Sequence, residues 1–131
     1  MFSHVTLGIS DFSRAMAFYT PVMEALGHGL RFCEAEVPWA GWQSAGAQRP
    51  LFVITAPFDG RAPAAGNGAM VAFNAAERRA VTRAYDLALA NGGTCEGPPG
   101  LRPQYHKDYF GAYLRDPDGN KLCFVCHAPE Q

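Results

Sequence analysis

An internal repeat constrains the fold of this chain more than any other feature. Displaced by 66 residues, the sequence runs in parallel with itself without a gap: His4-Val5-Thr6-Leu7 falls on Met70-Val71-Ala72-Phe73, Tyr19 on Tyr85 and Gly27 on Gly93. Self-similarity at one fixed displacement marks a single supersecondary unit used twice. Two such units fill nearly all of the 131 residues, the length of one domain.

Each copy reads as a strand, a helix and three further strands. In the first, Phe2 to Ile9 alternates, with His4, Thr6 and Gly8 on one face and Val5, Leu7 and Ile9 on the other. Ser10 or Asp11 offers an N-cap. Ala15, Phe18, Tyr19, Val22 and Leu26 then form the apolar stripe of a helix that Gly27 ends, and Pro21 inside it predicts a kink or a loosened turn. Short strands are expected at about 28–34, 37–44 and 50–56. The second copy predicts a strand at 69–74, a helix at 77–91 and strands near 94–97, 109–115 and 120–126. Asp116-Pro117-Asp118-Gly119 is a strong turn signal that makes the last two strands a hairpin.

The expected organisation is therefore one α+β domain with module 1 over about 1–57, a Pro/Gly/Ala-rich linker over about 58–68 and module 2 over about 69–127. The expected architecture is a cup-shaped mixed sheet with the helices outside. Balanced charge, with 11 basic and 12 acidic residues, supplies no basic face for nucleic acid or an anionic membrane. The apolar runs are far shorter than the ~20 residues of a membrane span, and Met1-Phe2-Ser3-His4 carries no charged segment ahead of a hydrophobic block. A cytoplasmic location, with the four cysteines reduced, is the expectation.

His4-Val5-Thr6-Leu7-Gly8-Ile9-Ser10-Asp11-Phe12, Ala17-Phe18-Tyr19 and Leu26-Gly27 resemble the start of proteins of the glyoxalase/bleomycin-resistance/dioxygenase (vicinal oxygen chelate) superfamily. Gly100 to His106, Tyr109, Gly111-Ala112-Tyr113 and Arg115-Asp116-Pro117-Asp118-Gly119-Asn120-Lys121 resemble the C-terminal module of its bacterial glyoxalase-like branch. The resemblance implies two modules forming a cup, pairing as a homodimer, and a divalent metal that chelates vicinal oxygens of a substrate. It places that metal on a histidine of the first strand, a histidine of the fifth and a glutamate of the last. Those positions are His4, Met70 and Cys123, so only His4 is retained and two donors have become sulfur. Three readings stay open: pocket lining without metal, a divalent metal held partly by other groups, or a soft His/Met/Cys site. No cofactor is predicted beyond that metal.

Arg102, Tyr105, His106, Tyr109 and Tyr113 crowd just before and within the penultimate strand. Arginine can hold a carboxylate or phosphate bidentately, and Tyr105, His106 and Tyr109 are the candidates for acid/base work or for stabilising an oxyanion. Trp39 and Trp42, either side of Gly41, offer an apolar wall for a planar ligand or an interface contact. Cys123-Phe124-Val125-Cys126-His127 matches a haem-attachment pattern, but residues three apart on a strand point to opposite faces. Asp116 and Asp118 read as turn residues, and His28 and His127 carry no supporting context for a role. The expected function is binding of a small organic molecule in the cup. The alternative is a metal-dependent lyase or isomerase of lactoylglutathione-lyase type, or a dioxygenase, acting on a vicinal-oxygen substrate; a dimeric interaction module with a vestigial cup comes third.

Overall fold

The computed structural model describes residues 1–130. Module 1 runs β1 (His4–Gly8), α1 (Phe12–Leu26), β2 (Gly29–Glu34), β3 (Trp39–Gln43) and β4 (Leu51–Thr55). Module 2 runs β5 (Val71–Asn74), α2 (Arg78–Ala90), β6 (Thr94–Leu101), β7 (Phe110–Arg115) and β8 (Lys121–Cys126). The strands form two four-stranded sheets, β1-β4-β3-β2 and β5-β8-β7-β6, rather than one continuous sheet. In each, the strand before the helix lies parallel to the last strand and the other pairs are antiparallel. This is the α+β, twice-used βαβββ arrangement that the repeat predicts.

Local chemistry sets the helix ends. Asp11 adopts extended geometry and its carboxylate accepts from the Arg14 N–H, which satisfies one of the four free donors of the first turn. Gly27 ends α1 in the left-handed region at φ 82°, where its N–H and that of His28 return to the Glu24 and Met23 carbonyls. Pro21 does not split α1, which is continuous from Phe12 to Leu26. The neighbours Phe18, Tyr19, Val22 and Met23 are all fully buried, and their packing offsets the lost hydrogen bond.

The self-alignment holds only through the helices. Thr6 pairs with Val53 and Ala72 with Cys123, so β4 and β8 correspond at a displacement of 70 rather than 66. The chain between β2 and β3 spans residues 35–38, whereas that between β6 and β7 spans 102–109. The extra residues of module 2 therefore enter where Arg102, Tyr105, His106 and Tyr109 lie.

Both helices lie in one core with Phe52, Ile54, Phe73, Leu114, Leu122 and Phe124. Phe52 of β4 meets Phe73 of β5 edge-to-face at 4.8 Å, joining the modules. The hairpin turn locks them further. Asp116, only 4 % exposed, accepts from Tyr19 Oη at 2.5 Å, from Asn120 Nδ2 at 2.9 Å and from the backbone N–H groups of Asp118 and Asn120. Asn120 also donates to the Gly8 carbonyl. Asp118 accepts from the Ser10 N–H and hydroxyl and pairs with Arg14 at 3.1 Å. Asp116 and Asp118, which read as turn residues, thus clamp the second module onto the start of the first.

Candidate functional site

The β7–β8 hairpin dictates which side chains gather on the face of the second sheet away from the helices. Tyr113 pairs with Cys123 and Arg115 with Lys121, so these four share that face, while Ala112, Leu114, Leu122 and Phe124 turn to the core. Continuing the same register beyond the strands sets Tyr109 opposite His127. The two rings are 5.4 Å apart.

A hollow of about 680 Å³ opens over this face. Tyr105, His106, Tyr109 and Tyr113 form part of its wall, together with Arg115, Lys121 and His127 and with residues 66–70 at the junction of the linker and module 2. Asp108 N–H donates to His106 Nδ1 at 3.2 Å, so the His106 proton sits on Nε2 and points to His127 Nδ1, 2.9 Å away. Tyr109 packs against Tyr105 at 4.9 Å and edge-on to His106 at 5.7 Å. Its hydroxyl lies 2.9 Å from that of Tyr113 and 3.6 Å from Cys123 Sγ. Burial, then the bonds to Tyr113 and Cys123, push the Tyr109 hydroxyl above the ordinary phenol range. Burial likewise raises Tyr113. It also raises the Cys123 thiol, against opposing hydrogen bonds from both tyrosines.

Arg102 reaches the same face from the start of the β6–β7 turn. Its guanidinium donates to the Pro98 carbonyl at 2.7 Å and stands 5.5 Å from the centre of the Tyr113 ring. Lys121 Nζ stands 5.8 Å from that ring.

The remaining residues singled out by sequence lie elsewhere. Trp39, 37 % exposed, sits on the first sheet, where it donates to Glu34 at 2.8 Å and packs against Phe32. Trp42 points the other way, 3 % exposed against Tyr19 and Phe52, because residues three apart on a strand face opposite sides. Its edge reaches only a separate hollow of about 320 Å³ at the seam between modules. Cys126 lies on the core face of β8, opposite to Cys123, and all four cysteines are free. His127, whose only motif is the haem-attachment pattern that strand geometry disfavours, belongs to the site. The signal that finds it is the turn: counting outward from Asp116–Gly119 along both strands pairs Tyr109 with His127.

His4 lies on the exposed side of β1, with Ser3 Oγ 2.9 Å from its Nδ1, and is not part of the wall of the larger hollow. Met70 precedes β5, half exposed, at the edge of that hollow. Cys123 is fully buried, its thiol covered by Tyr109 and Tyr113. Among the described residues, no three His, Cys, Asp or Glu side chains gather as a metal-holding group. An imidazole, a thioether and a neutral covered thiol do not fit a hard or borderline divalent ion, which wants carboxylate and imidazole donors.

Comparison with known proteins agrees with this fold. Residues 1–124 match the family model of the Glyoxalase/Bleomycin resistance protein/Dioxygenase superfamily. The chain belongs to that superfamily. The crystal structure of a glyoxalase/bleomycin resistance protein from Albidiferax ferrireducens T118 is 35 % identical, with a TM-score of 0.86 over 96 % of this chain and 98 % of that one. A glyoxalase-related enzyme from Fulvimarina pelagi is 22 % identical with a TM-score of 0.70, over 96 % of this chain and 87 % of that one. A glyoxalase/bleomycin resistance protein/dioxygenase family enzyme from Burkholderia phytofirmans PsJN is 18 % identical with a TM-score of 0.69, over 96 % and 98 % respectively. At those two identities the likeness is one of fold. No curated protein matches the chain significantly. No helix of this superfamily member, among its described residues, is long and apolar enough to cross a membrane.

Proposed function

We propose that this superfamily member binds a small organic molecule on the outer face of its second sheet, without the divalent metal that the family resemblance implies. One observation carries the reading. The last-strand position where that resemblance places a metal-binding glutamate holds Cys123, and its thiol is buried beneath Tyr109 and Tyr113, which line an open hollow. Open apolar and aromatic walls with a few convergent polar groups are what small-molecule sites need. Tyr109 and the His106–His127 pair supply groups able to hold or move a proton on a bound molecule. Binding or sequestration is the activity assigned here. The chain works as a homodimer in this proposal, the second copy covering the open sheet faces.

Metal analysis of protein purified without chelator or nickel resin tests it, together with a thermal-shift screen of small molecules. The expected result is no stoichiometric metal and a rise in melting temperature with some ligands, by mass action. Stoichiometric divalent metal that is lost in His4→Ala overturns the reading in favour of the metal-dependent lyase or dioxygenase. A screen in which nothing stabilises the protein points instead to an interaction module. Sedimentation at varied concentration tests the dimer, and a monomer throughout removes it.

A further inference from the structure

The charge around the hollow points to the class of ligand, an inference that rests on the binding reading above. None of the residues lining it is an aspartate or a glutamate. Three cations surround Tyr113: Arg102, Arg115 and Lys121. Arg115 is neutralised by Glu96, 2.6 Å away. Among the described residues, no carboxylate lies within ion-pair distance of Arg102 or Lys121.

The position of Arg102 is built into the chain. Its guanidinium lies across β6 at two glycines: a Cβ at Gly100 would stand 3.1 Å from one of its terminal nitrogens, and one at Gly97 would stand 3.3 Å from the other. A Cβ at either glycine is tighter than ordinary contact, so the guanidinium would have to give by a few tenths of an ångström. Carbonyls of Pro98 and Leu101 take two of its hydrogen bonds and leave further N–H donors free. Carbonyls do not cancel its charge. Lys121, half-buried, lines the hollow itself, its ammonium 5.8 Å from the centre of the Tyr113 ring. Above this polar floor the wall turns apolar and flat: Tyr105 is 62 % exposed and Met70 43 % exposed.

We propose that the hollow takes a small aromatic carboxylate. Its anionic group sits at Lys121 within the field of Arg102, and its ring lies against Tyr105, Tyr109 and Met70. Three cations against one nearby acid, Glu96, leave a net positive site that favours an anion, and a half-buried lysine keeps more of its attraction than a solvated one. Exposed aromatic faces favour a planar ring.

The test compares 2-naphthoate with its neutral near-isostere 2-naphthamide, followed on the intact protein by amide chemical shifts and by calorimetry. Naphthoate should bind roughly tenfold or more tightly than the amide, the range of one charge-assisted hydrogen bond. Lys121→Gln should remove that preference, Arg102→Gln should reduce it, and both should leave naphthamide affinity within about twofold. Rising salt should weaken naphthoate alone. Equal binding of the two probes overturns the anion assignment and leaves the pocket reading standing. Binding of neither probe overturns both. Naphthoate binding that is indifferent to Lys121→Gln and Arg102→Gln, in variants that melt as the parent does, places the anion elsewhere and overturns the proposal.

Discussion

Tyr19→Phe isolates the bond that ties the two modules together. The ring of Tyr19 is 0 % exposed and packs on Phe18 at 4.8 Å and Phe52 at 5.3 Å, contacts that phenylalanine keeps. What disappears is the hydroxyl donated to Asp116, a buried carboxylate whose same oxygen then keeps only Asn120 Nδ2. Hydrogen bonds to charged groups contribute about 1.5–3 kcal/mol, and no water reaches the vacated position easily, so the expected loss is about 2 kcal/mol. For a chain of 131 residues, that lowers the melting temperature by roughly 7 °C. Urea unfolding gives the free energy and calorimetry the temperature. Tyr85→Phe, at the same place in the second copy but away from the clamp, is the control and should cost less than about 1 kcal/mol. A Tyr19→Phe loss below about 0.5 kcal/mol, or one equal to the control, would refute the clamp. The same bond sets a pH dependence. Burial, then the negative charge of Asp116, holds the Tyr19 hydroxyl well above its ordinary value of 10. A raised folded pKa contributes stability that is whole below pH 10 and is lost as pH rises beyond it, because the unfolded chain releases that proton first. Tyr19→Phe should flatten the alkaline fall.

Two further outcomes follow from burial and close contact. Of the four cysteines, Cys33 and Cys95 are exposed and should react with a thiol reagent in the native protein. Cys123 and Cys126 are buried, and burial raises the Cys123 thiol further, so both should react only on unfolding; fast labelling of Cys123 would mean that Tyr109 and Tyr113 do not cover it. Gly93→Ala would put a Cβ 2.8 Å from the Ala88 carbonyl and 2.9 Å from the Phe18 ring, an overpacking worth about 1–3 kcal/mol in urea unfolding, and an unchanged midpoint would mean that the β6 start yields freely.

The sequence shows the framework because the framework repeats. Tyr19 and Tyr85 recur since each copy must bury the same helix face, and each helix is stopped before the next strand by a left-handed glycine, Gly27 in the first copy and Gly92 in the second. The hairpin at Asp116–Gly119 is legible from turn chemistry alone. Its clamp on Ser10, Arg14 and Tyr19 is not, because those partners lie about a hundred residues away and nothing local names them. Trp42 misleads for a simple reason. Composition marks it as a ligand wall, while strand parity sends it to the core and leaves Trp39 outside. The break in the repeat is equally silent, since β6 carries register shifts at Gly97 that no periodicity announces.

That break divides framework from site, and it can be tested by removing it. Arg102 N–H bonds the Tyr109 carbonyl at 2.8 Å, continuing the register in which Leu101 pairs with Phe110. Residues 103–108 are thus a loop on a closed ladder, with 103–107 exposed and Asp108 half-buried. Replacing them by Asn-Gly keeps the ladder and supplies the preferred two-residue turn. The removed side chains touch the rest of the chain through the long Arg78–Asp108 pair at 3.8 Å, the exposed His106–His127 bond and the packing of Tyr105 and His106 on Tyr109, surface contacts of which the ion pair contributes under about 1 kcal/mol. Stability should therefore stay within about 1 kcal/mol of the parent, the shorter loop offsetting part of the loss. Binding should change in a definite pattern. Tyr105 and His106 are gone while Lys121 and Tyr113 remain, so naphthoate and naphthamide should weaken by the same factor and the preference for the carboxylate should survive. A variant that unfolds would show the insertion to be framework after all. One that loses only naphthoate would place the anion on the loop, at His106 or Lys107, instead of at Lys121.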